Sequence, residues 1–374
     1  MIFLINASNL KAGGGVQVAD SVCCQLNRFK EHHFVVVLSP YMSSTKERLE
    51  GLENVEVFIY EIPNDFKTIV LGRDHFLDHL VSEKDVKAVM TVFGPSRWRP
   101  KVKHLSGFAL PQLVIPESPY FLRMGKTEQL KWWLWCGIRK WSFERSADWF
   151  WTENPFISAR LNKLFRTKKV YSVTNFYNQV FDSQEKWRRS IKLPEFDGVT
   201  CLSISANYPH KNFGIIPDVI KAMRSLHPEV NLRFVLTIDE KEMSVDDDVK
   251  DFIIFIGKVD VAECPNLYEQ ADIMFMPSLL ECFSATYPEA MRMEVPIVTT
   301  DLEFARGLCG EAACYYSAID AKAAAEAIYK VGTDKDYAQK LITNGRKRLQ
   351  LYDNYEQRAE KLVRLLEKIA ARTS

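Results

Sequence analysis

Two glutamates eight positions apart, Glu281 and Glu289, lie where a predicted buried strand passes through a loop into a predicted helix. The strand is an apolar run over residues 271–276, and the helix is predicted over residues 285–293 with Ser284 as its N-cap. In an open parallel sheet this junction lies at the carboxyl edge, where ligands bind and the helix start attracts anions. Such a site suits a ligand that carries phosphate and hydroxyl groups, such as a sugar nucleotide. The alternative is two solvated carboxylates at a surface helix.

A second candidate group lies in the turn that follows the first predicted strand of the second half. Lys211 comes directly after a Pro-His pair there, and at the mouth of a parallel sheet its ammonium can reach a phosphate as a point charge. A cation opposes the dipole of the helix that begins here, which favours a ligand over a merely solvated lysine. His210 fits a proton donor or phosphate contact as well as it fits a capping or surface histidine.

Three adjacent glycines, Gly13, Gly14 and Gly15, separate the first predicted strand from a helix pattern over residues 18–29. Glycine lets a backbone approach a ligand closely, and the helix start supplies free amides. The spacing matches neither a dinucleotide fingerprint nor a P-loop. We therefore predict a ligand-facing turn of another kind; an ordinary strand-to-helix turn is the alternative.

Strand-like apolar runs alternate with amphipathic helix patterns along the whole chain. The predicted strands are 2–6, 34–38, 55–60, 86–93, 110–115, 149–151, 170–173, 199–204, 232–238, 252–256, 273–276, 296–299 and 313–316. Continuous apolar strands between helices indicate parallel sheets that are covered on both faces. Two such series predict an α/β protein of two Rossmann-like, doubly wound domains.

The predicted domains are an amino-terminal one over 1–181 and a carboxyl-terminal one over 196–354, joined by a polar linker over 182–195. The length of 374 residues gives each domain enough chain for its own core. A last helix over 355–374 carries apolar residues at helical spacing and is predicted to pack back on the first domain.

Composition narrows the classes of function and partner. The chain is 47% hydrophobic with a formal net charge of +1, so no overall field draws it to nucleic acid. The eight cysteines form no zinc or redox pattern, which favours a reduced, cytoplasmic compartment. The amino terminus lacks the features of a signal peptide, and no apolar stretch is long enough to span a bilayer.

Taken together, these features resemble the group-one retaining glycosyltransferases of the GT-B fold, over most of the chain and most strongly in its second half. Glu281 and Glu289 match the Glu-x7-Glu signature of that family, and residues 295–298, Val-Pro-Ile-Val, resemble the strand that follows it. Residues 255–258 resemble the element that lines the base pocket, and 177–181 loosely resemble the interdomain segment. The resemblance implies two domains that face each other across a central cleft.

The resemblance also implies a role for each matching residue. Glu289 would hold the ribose hydroxyls, and Glu281 would contact the transferred sugar or the positive charge at its anomeric carbon. Lys211 would neutralise the departing diphosphate, helped by backbone amides around Phe283 and Ser284. The family needs no protein nucleophile, because the leaving phosphate guides the acceptor hydroxyl in from the same face.

Further contacts are implied on both sides of the ligand. The remaining residues on the donor side are Gly257, Lys258, Asn207 and His210, together with the glycines Gly13, Gly14 and Gly15. The acceptor-side histidine of the family is absent, and Glu117 or Ser118 stands near its place. We expect neither a metal nor a cofactor: His75 and His79 lack the metalloprotease glutamate, and the aspartates at 246–248 lie in a polar charge run.

The sequence departs from the family pattern at three places. The usual Glu-Gly-Phe-Gly-Leu-Pro reads Glu-Cys-Phe-Ser-Ala-Thr at 281–286, the arginine that pairs with Lys211 is missing from 205–207, and a glycine turn is missing from 300–304. We expect a retaining transfer of a sugar from a nucleotide-sugar donor to a hydroxyl acceptor in surface polysaccharide or glycan synthesis. The alternatives are a non-catalytic sugar-nucleotide-binding relative and a sugar-nucleotide epimerase.

Tryptophan and basic residues are concentrated in the segment from Trp132 to Trp141. A basic aromatic helix lies at a membrane surface or binds an apolar, lipid-linked acceptor. The interpretation we favour is a helix whose bulky face packs on its own sheet. The other predicts a protein that binds peripherally at the inner face of the membrane.

Overall fold

The structure, a computed structural model, describes residues 1–11 and 13–372, apart from the side chain of Arg123. It divides into two compact units. The first unit comprises Met1–Pro116, Met124–Asn175 and Asp353–Ser374, and the second comprises Glu117–Arg123 and Phe176–Tyr352.

The first unit is built on a parallel sheet of seven strands. They are β1 (Ile2–Ala7), β2 (His33–Leu38), β3 (Val55–Ile59), β4 (Ala88–Thr91), β5 (Lys103–Gly107), β6 (Trp149–Thr152) and β7 (Lys169–Ser172). The strand order is β3-β2-β1-β4-β5-β6-β7. The order reverses between β1 and β4, so the loops after these two strands flank the switch point of the sheet.

The second unit repeats this plan with six parallel strands. They are β8 (Val199–Ser203), β9 (Leu232–Leu236), β10 (Ile253–Phe255), β11 (Ile273–Met276), β12 (Ile297–Thr300) and β13 (Ala313–Tyr316). Their order is β10-β9-β8-β11-β12-β13, which places the switch point between β8 and β11.

Helices follow most strands, as the βα alternation requires. In the first unit they are α1 (Gly14–Cys23), α2 (Ser43–Leu49), α3 (His75–Glu83), α4 (Lys126–Ser146) and α5 (Pro155–Leu164). The second unit contributes α6 (Ile216–Leu226), α7 (Asp247–Lys250), α8 (Cys264–Glu269), α9 (Thr286–Arg292), α10 (Glu303–Cys309), α11 (Ala321–Thr333) and α12 (Lys335–Leu349). The last helix, α13 (Tyr355–Ala370), belongs to the first unit.

The helix α13 completes the core of the first unit. It packs near β4, β5 and α1, and its side chains Leu362, Leu366 and Ile369 are fully buried. Hydrogen bonds fix the point where the chain enters it, because the backbone amide and hydroxyl of Thr174 both donate to Asp353 Oδ2 at 3.0 Å. The last helix is thus part of the folded core and not an appendage.

The division into units differs from the predicted domain limits. The chain enters the second unit at Phe176, and the segment 182–195, predicted as a linker, is docked on that unit. The side chain of Asn266 donates to the carbonyl of Ile191 at 2.7 Å, and the backbone amide of Leu193 donates to Gln270 Oε1 at 2.8 Å.

One predicted strand was wrong. Residues 110–115 contain a 3-10 turn over Pro111–Leu113, and β5 lies earlier, at Lys103–Gly107. The hydrophobic pattern did not predict this strand, because its buried positions include the polar residues His104 and Ser106. The ring of His104 is satisfied inside the sheet by Thr91 Oγ1, at 2.8 Å from Nε2. The two-domain α/β fold itself is confirmed.

Candidate functional site

The candidate site lies on the two loops at the switch point of the second sheet. One loop leaves β8 and contains the 3-10 turn Pro209–Lys211, and the other leaves β11 and runs through Leu279 to α9. The backbone amide of Leu279 donates to the carbonyl of His210 at 2.8 Å, so each loop supports the other. Charged side chains on these loops therefore meet at the edge where parallel sheets bind ligands.

Lys211 and Glu281 form a buried ion pair between these loops. Their side chains are 11% and 9% exposed, and Nζ lies 2.6 Å from Oε1. Lys211 ends the 3-10 turn, and Asn212, which follows it, adopts a left-handed conformation with φ of 56°. Asparagine tolerates that region better than most residues do. The structure thus brings together the lysine and the first glutamate of the predicted site.

His210 is the third polar group of this cluster. Its Nε2 lies 4.0 Å from Glu281 Oε1, and its ring stacks on Tyr208 at 5.6 Å between centroids. Burial lowers the pKa of His210 below 6.5, and the nearby Lys211 adds to this effect while Glu281 opposes it. The imidazole is therefore neutral at pH 7 and can donate one hydrogen bond and accept another.

Glu289 lies on α9 and is buried beside Tyr268 of α8. The tyrosine hydroxyl is 3.3 Å from Glu289 Oε2. Burial raises the pKa of Glu289 to about 7, although the hydrogen bond from Tyr268 works in the other direction. Near neutral pH this carboxyl is thus poised between its two forms, and hydroxyl donors from a ligand would favour the charged one.

The start of α9 corrects one prediction. Ser284 is not the N-cap, because Ala285 occupies that position in a helical conformation with φ of −62° and without a side-chain cap. The Ser284 hydroxyl instead lies 2.8 Å from Thr286 Oγ1. The ring of the neighbouring Phe283 meets Tyr352 edge to face at 6.1 Å between centroids. Ser284 is thus held by its own turn at the foot of the helix.

The acceptor-side candidates Glu117 and Ser118 belong to the second unit. The Ser118 hydroxyl donates to the carbonyl of Leu279 at 2.6 Å and is buried, whereas Glu117 is exposed. Two residues further on, the ring of Tyr120 lies edge-on to His210 at 6.4 Å between centroids. The segment 117–123 therefore buttresses the switch-point loops.

The other donor-side candidates lie along the carboxyl edge of the same sheet. Gly257 follows β10 with φ of 70°, which only glycine adopts freely, and it lines a cavity of about 690 Å³ together with residues of the 239–250 segment. Lys258 is exposed beside it. Asn207 donates from Nδ2 to the carbonyl of Glu242 at 2.6 Å, which ties the β8 loop to the cavity wall.

The glycine cluster lies at the switch point of the first sheet, at the start of α1. Gly13 needs its residue type, because its φ is 76°. Side chains added at Gly13 or Gly14 would meet nothing within 4 Å in the structure, whereas Gly15 has Leu10 at 3.4 Å. The turn therefore has room for a ligand on the first two glycines, and its predicted contact with a donor stays a prediction.

Three tyrosines of the site were missed by sequence reasoning: Tyr120, Tyr208 and Tyr268. Each acts through a neighbour that is distant in sequence or through ring stacking, and no spacing rule reports such contacts. The aspartates at 246–248 are at the start of α7, as expected for a loop or helix start.

Two parallel, doubly wound α/β units are the architecture of the GT-B fold. Residues 183–348, which make up most of the second unit, match the family model of glycosyl transferases group 1. The match spans less than half of the chain, and it makes this part of the chain similar to group 1 glycosyl transferases.

Known proteins resemble the chain in sequence and in structure. The O-antigen chain mannosyltransferase RfbU of Salmonella typhimurium is 28% identical over 135 residues, which span 35% of this chain and 37% of that protein. The chain thus matches little more than a third of that relative's length. A glycosyltransferase of Rickettsia africae has a TM-score of 0.68 at 14% identity, covering 100% of this chain and 99% of that one.

A second solved structure is HepE of Anabaena, determined in complex with UDP and glucose. Its TM-score is 0.61 at 14% identity, and the likeness covers 98% of this chain and 99% of that one. At these low sequence identities, the structural similarity establishes the fold alone.

Proposed function

We propose that this protein moves a sugar from a nucleotide-sugar donor to a hydroxyl group of a glycan or lipid-linked acceptor, with retention of anomeric configuration. The observation that carries the proposal is the buried pair of Lys211 and Glu281 beside His210 at the switch point. It lies in the part of the chain that matches the group 1 family.

Donor binding would rest on three features of the carboxyl edge. The carboxylate of Glu289 would accept hydrogen bonds from both ribose hydroxyls, since an ionised carboxylate has acceptor sites to spare. The cavity beside Gly257 would take the base, and Lys258 and Asn207 border that region. Binding of the ribose would lower the pKa of Glu289 from its raised value of about 7.

Sugar transfer would use the charges that the two loops hold in place. As the bond between the anomeric carbon and the phosphate oxygen breaks, negative charge would grow on the diphosphate, and the Lys211 ammonium would neutralise it. Glu281 would stabilise the positive charge that develops at the anomeric carbon. Neutral His210 would add one hydrogen bond, which compensates in part for the missing arginine.

Retention would follow from the side on which the acceptor approaches. The acceptor hydroxyl would form its new bond on the face that the diphosphate leaves, and its proton would pass to a departing phosphate oxygen. No protein nucleophile is needed for this sequence of bond changes. Ser118 and Glu117 are the residues we assign to the acceptor side, with the Ser118 hydroxyl already engaged by Leu279.

Surface polysaccharide synthesis is the biological setting that we propose. It draws on the Salmonella relative, which is an O-antigen chain mannosyltransferase. Activated mannose is therefore the first donor to test. UDP-glucose is the second, because HepE was solved with UDP and glucose.

The test is a thermal-shift screen of nucleotides and nucleotide sugars, followed by a transfer assay. We expect one nucleotide sugar to stabilise wild type, and Lys211→Met to retain the fold while losing transfer. Nuclear magnetic resonance of the product would report the anomeric configuration. No stabilisation by any nucleotide would refute the donor site.

Two results would favour the alternatives instead. Binding without hydrolysis or transfer would identify a non-catalytic relative, which the missing arginine and glycines would then explain. Accumulation of an epimeric sugar nucleotide would identify an epimerase.

A further inference from the structure

The helix α4 leaves most of its length uncovered. Among its 21 residues only Phe143 and Ser146 are buried. Leu134, Ile138 and Trp141 are 52%, 66% and 48% exposed. Their spacing of four and three residues places them on one face of the helix. The favoured prediction, a bulky face packed on its own sheet, was therefore wrong.

A strongly cationic cavity of about 780 Å³ lies at the amino edge of the first sheet, where β4, β5 and β6 begin. Seven basic residues line it: Arg73, Lys87, Arg99, Lys101, Lys103, Arg145 and Arg372. Its one carboxylate is Asp148, whose Oδ2 already accepts the backbone amide of His104 at 3.0 Å. The lining therefore carries a large excess of positive charge.

Six of these seven cations form no ion pair within the described residues. In the part of the chain that the structure describes, no ion pair engages Arg73, Arg99 or Lys101, whereas Lys87 pairs with Asp85 at 2.6 Å. Gly72 lets the Arg99 side chain and the Arg145 guanidinium both approach its backbone, because a side chain there would lie 3.0 Å from Arg99 Cβ and 3.6 Å from an Arg145 nitrogen. Gathered like charges repel one another, and an anion between them relieves that repulsion.

Exposed apolar side chains border the cavity on two sides. The guanidinium of Arg145 lies 4.9 Å from the ring centroid of Trp141, which joins the cavity to the exposed face of α4. On the other side Leu71 lines the cavity and is 53% exposed, and Phe66 and Ile69 precede it at 70% and 46%. Cations that are flanked by exposed apolar groups are typical of surfaces that lie at a membrane interface.

We propose that this cavity binds phosphate groups of anionic lipid headgroups while the exposed apolar residues of α4 and of 66–71 enter the same membrane surface. Arginine forms paired hydrogen bonds with phosphate oxygens, which suits Arg99 and Arg145. In the described residues no helix is long and apolar enough to cross a membrane, so the contact is peripheral. The cavity occupies the amino edge, which leaves the carboxyl edge of that sheet uncovered.

The test is flotation of the full chain with two kinds of vesicle. One is pure phosphatidylcholine, and the other contains about one third phosphatidylglycerol. We expect wild type to bind the anionic vesicles, and more weakly as salt rises. Reversal of two exposed cavity charges, Arg99→Glu with Lys101→Glu, should weaken that binding at least about tenfold.

Two further variants separate headgroup binding from general charge. Lys335→Glu with Lys340→Glu makes the same change in net charge on exposed positions of α12 and should bind as wild type does. Leu134→Asp with Ile138→Asp alters only exposed positions of α4 and should also weaken binding. Circular dichroism checks that all variants fold.

Several outcomes would overturn the proposal. Equal losses in the cavity variant and the α12 control would show a non-specific charge effect. If wild type bound neither kind of vesicle while pyrophosphate or polyglutamate changed its tryptophan fluorescence, the ligand of the cavity would be a soluble anion or an acidic polypeptide. Vesicle binding is measured without turnover, so these results do not depend on whether the protein transfers a sugar.

Discussion

Lys211 and Glu281 neutralise each other in a place with little water around them. Removing one partner of such a pair leaves the other as an uncompensated buried charge, whereas removing both leaves a neutral site. The same two side chains are those that we assign to the diphosphate and the sugar. Stability and sugar transfer should therefore respond differently to single and double substitutions.

We predict that Lys211→Met lowers the free energy of unfolding by about 3 to 5 kcal/mol. The double variant Lys211→Met with Glu281→Gln should recover most of that loss, because no buried charge remains unpaired. Urea unfolding of wild type, Lys211→Met, Glu281→Gln and the double variant measures this coupling. The double variant should still lack transfer activity, and a double variant as unstable as Lys211→Met would contradict the assignment.

Glu289 predicts a pH dependence of stability. Its folded-state pKa is raised to about 7 from an ordinary 4.5, so the folded protein binds the extra proton between these values and loses stability as pH rises through them. Glu289→Gln should thus match wild type near pH 5 and exceed it at pH 8, by on the order of 3 kcal/mol. Chemical unfolding at both pH values is the measurement. The variant should bind donor more weakly, and undiminished affinity would refute the ribose contact.

Sequence reasoning proposed Lys211, Glu281 and Glu289 because residue type and spacing after a strand limit what a site can contain, and the structure brings Lys211 and Glu281 together. It could not find Tyr268, whose hydroxyl reaches Glu289 from another helix. It also misplaced Ser284, since the turn before α9 satisfies that hydroxyl locally with Thr286. Contacts between distant segments and local hydroxyl pairs leave no periodic signal.

At the scale of elements, the loop after β11 is held by hydrogen bonds to the segment 117–123 and to the loop after β8. The Ser118 hydroxyl holds the carbonyl of Leu279, and the amide of Leu279 holds the β8 loop through His210. The conformation of the β11 loop thus depends on a short segment that precedes it by more than one hundred residues.

We predict that Ser118→Ala destabilises the protein by about 1 to 3 kcal/mol, because the Leu279 carbonyl stays buried without its donor. Hydrogen exchange should quicken in the loop from β11 to α9. Ser317→Ala, at an exposed position, is the matched control and should change neither quantity. An unaltered exchange rate around Leu279 in Ser118→Ala would count against this support.

The helix α13 makes a second prediction at this scale. Leu366 is fully buried in the first unit, so Leu366→Ala should cost about 2 to 5 kcal/mol. Faster hydrogen exchange should appear in β1 and β4 but not in β8 and β11. Leu351→Ala, at a position 69% exposed, is the control. Equal effects on both sheets would contradict the assignment of this helix to the first unit.

Most strands were predictable because apolar runs between helices are what a doubly covered parallel sheet requires. The exceptions have physical reasons. β5 buries the polar residues His104 and Ser106 in a hydrogen-bonded strand, and α4 exposes large apolar residues that are usually buried. Polar residues are thus buried in β5 and apolar residues are exposed on α4, whereas a pattern-based prediction assumes the opposite in both cases.

At the scale of the whole molecule, the chain passes between the two units four times, after Pro116, Arg123, Asn175 and Tyr352. Each unit nevertheless has its own sheet and its own core. A ligand of one unit should therefore stabilise the strands of that unit first.

We predict that donor binding slows hydrogen exchange in the loops after β8, β10 and β11. The stabilisation should grow with ligand concentration as mass action requires, by about 2.7 kcal/mol at one hundred times the dissociation constant. Mass spectrometry of exchange locates it. The seven-stranded sheet serves as the internal reference, and protection confined to that sheet would place the donor elsewhere.

The order of synthesis gives the position of α13 a further meaning. A ribosome that adds about 5 to 20 residues per second needs about 10 to 40 s to pass from Asn175 to the end of the helix. During that interval the first sheet has been made but lacks Leu362 and Leu366, and the second unit is complete once Tyr352 has been added, before the end of α13 is made. The half of the protein that is translated first should be the last to mature, and the apolar face it presents meanwhile is where a chaperone would act.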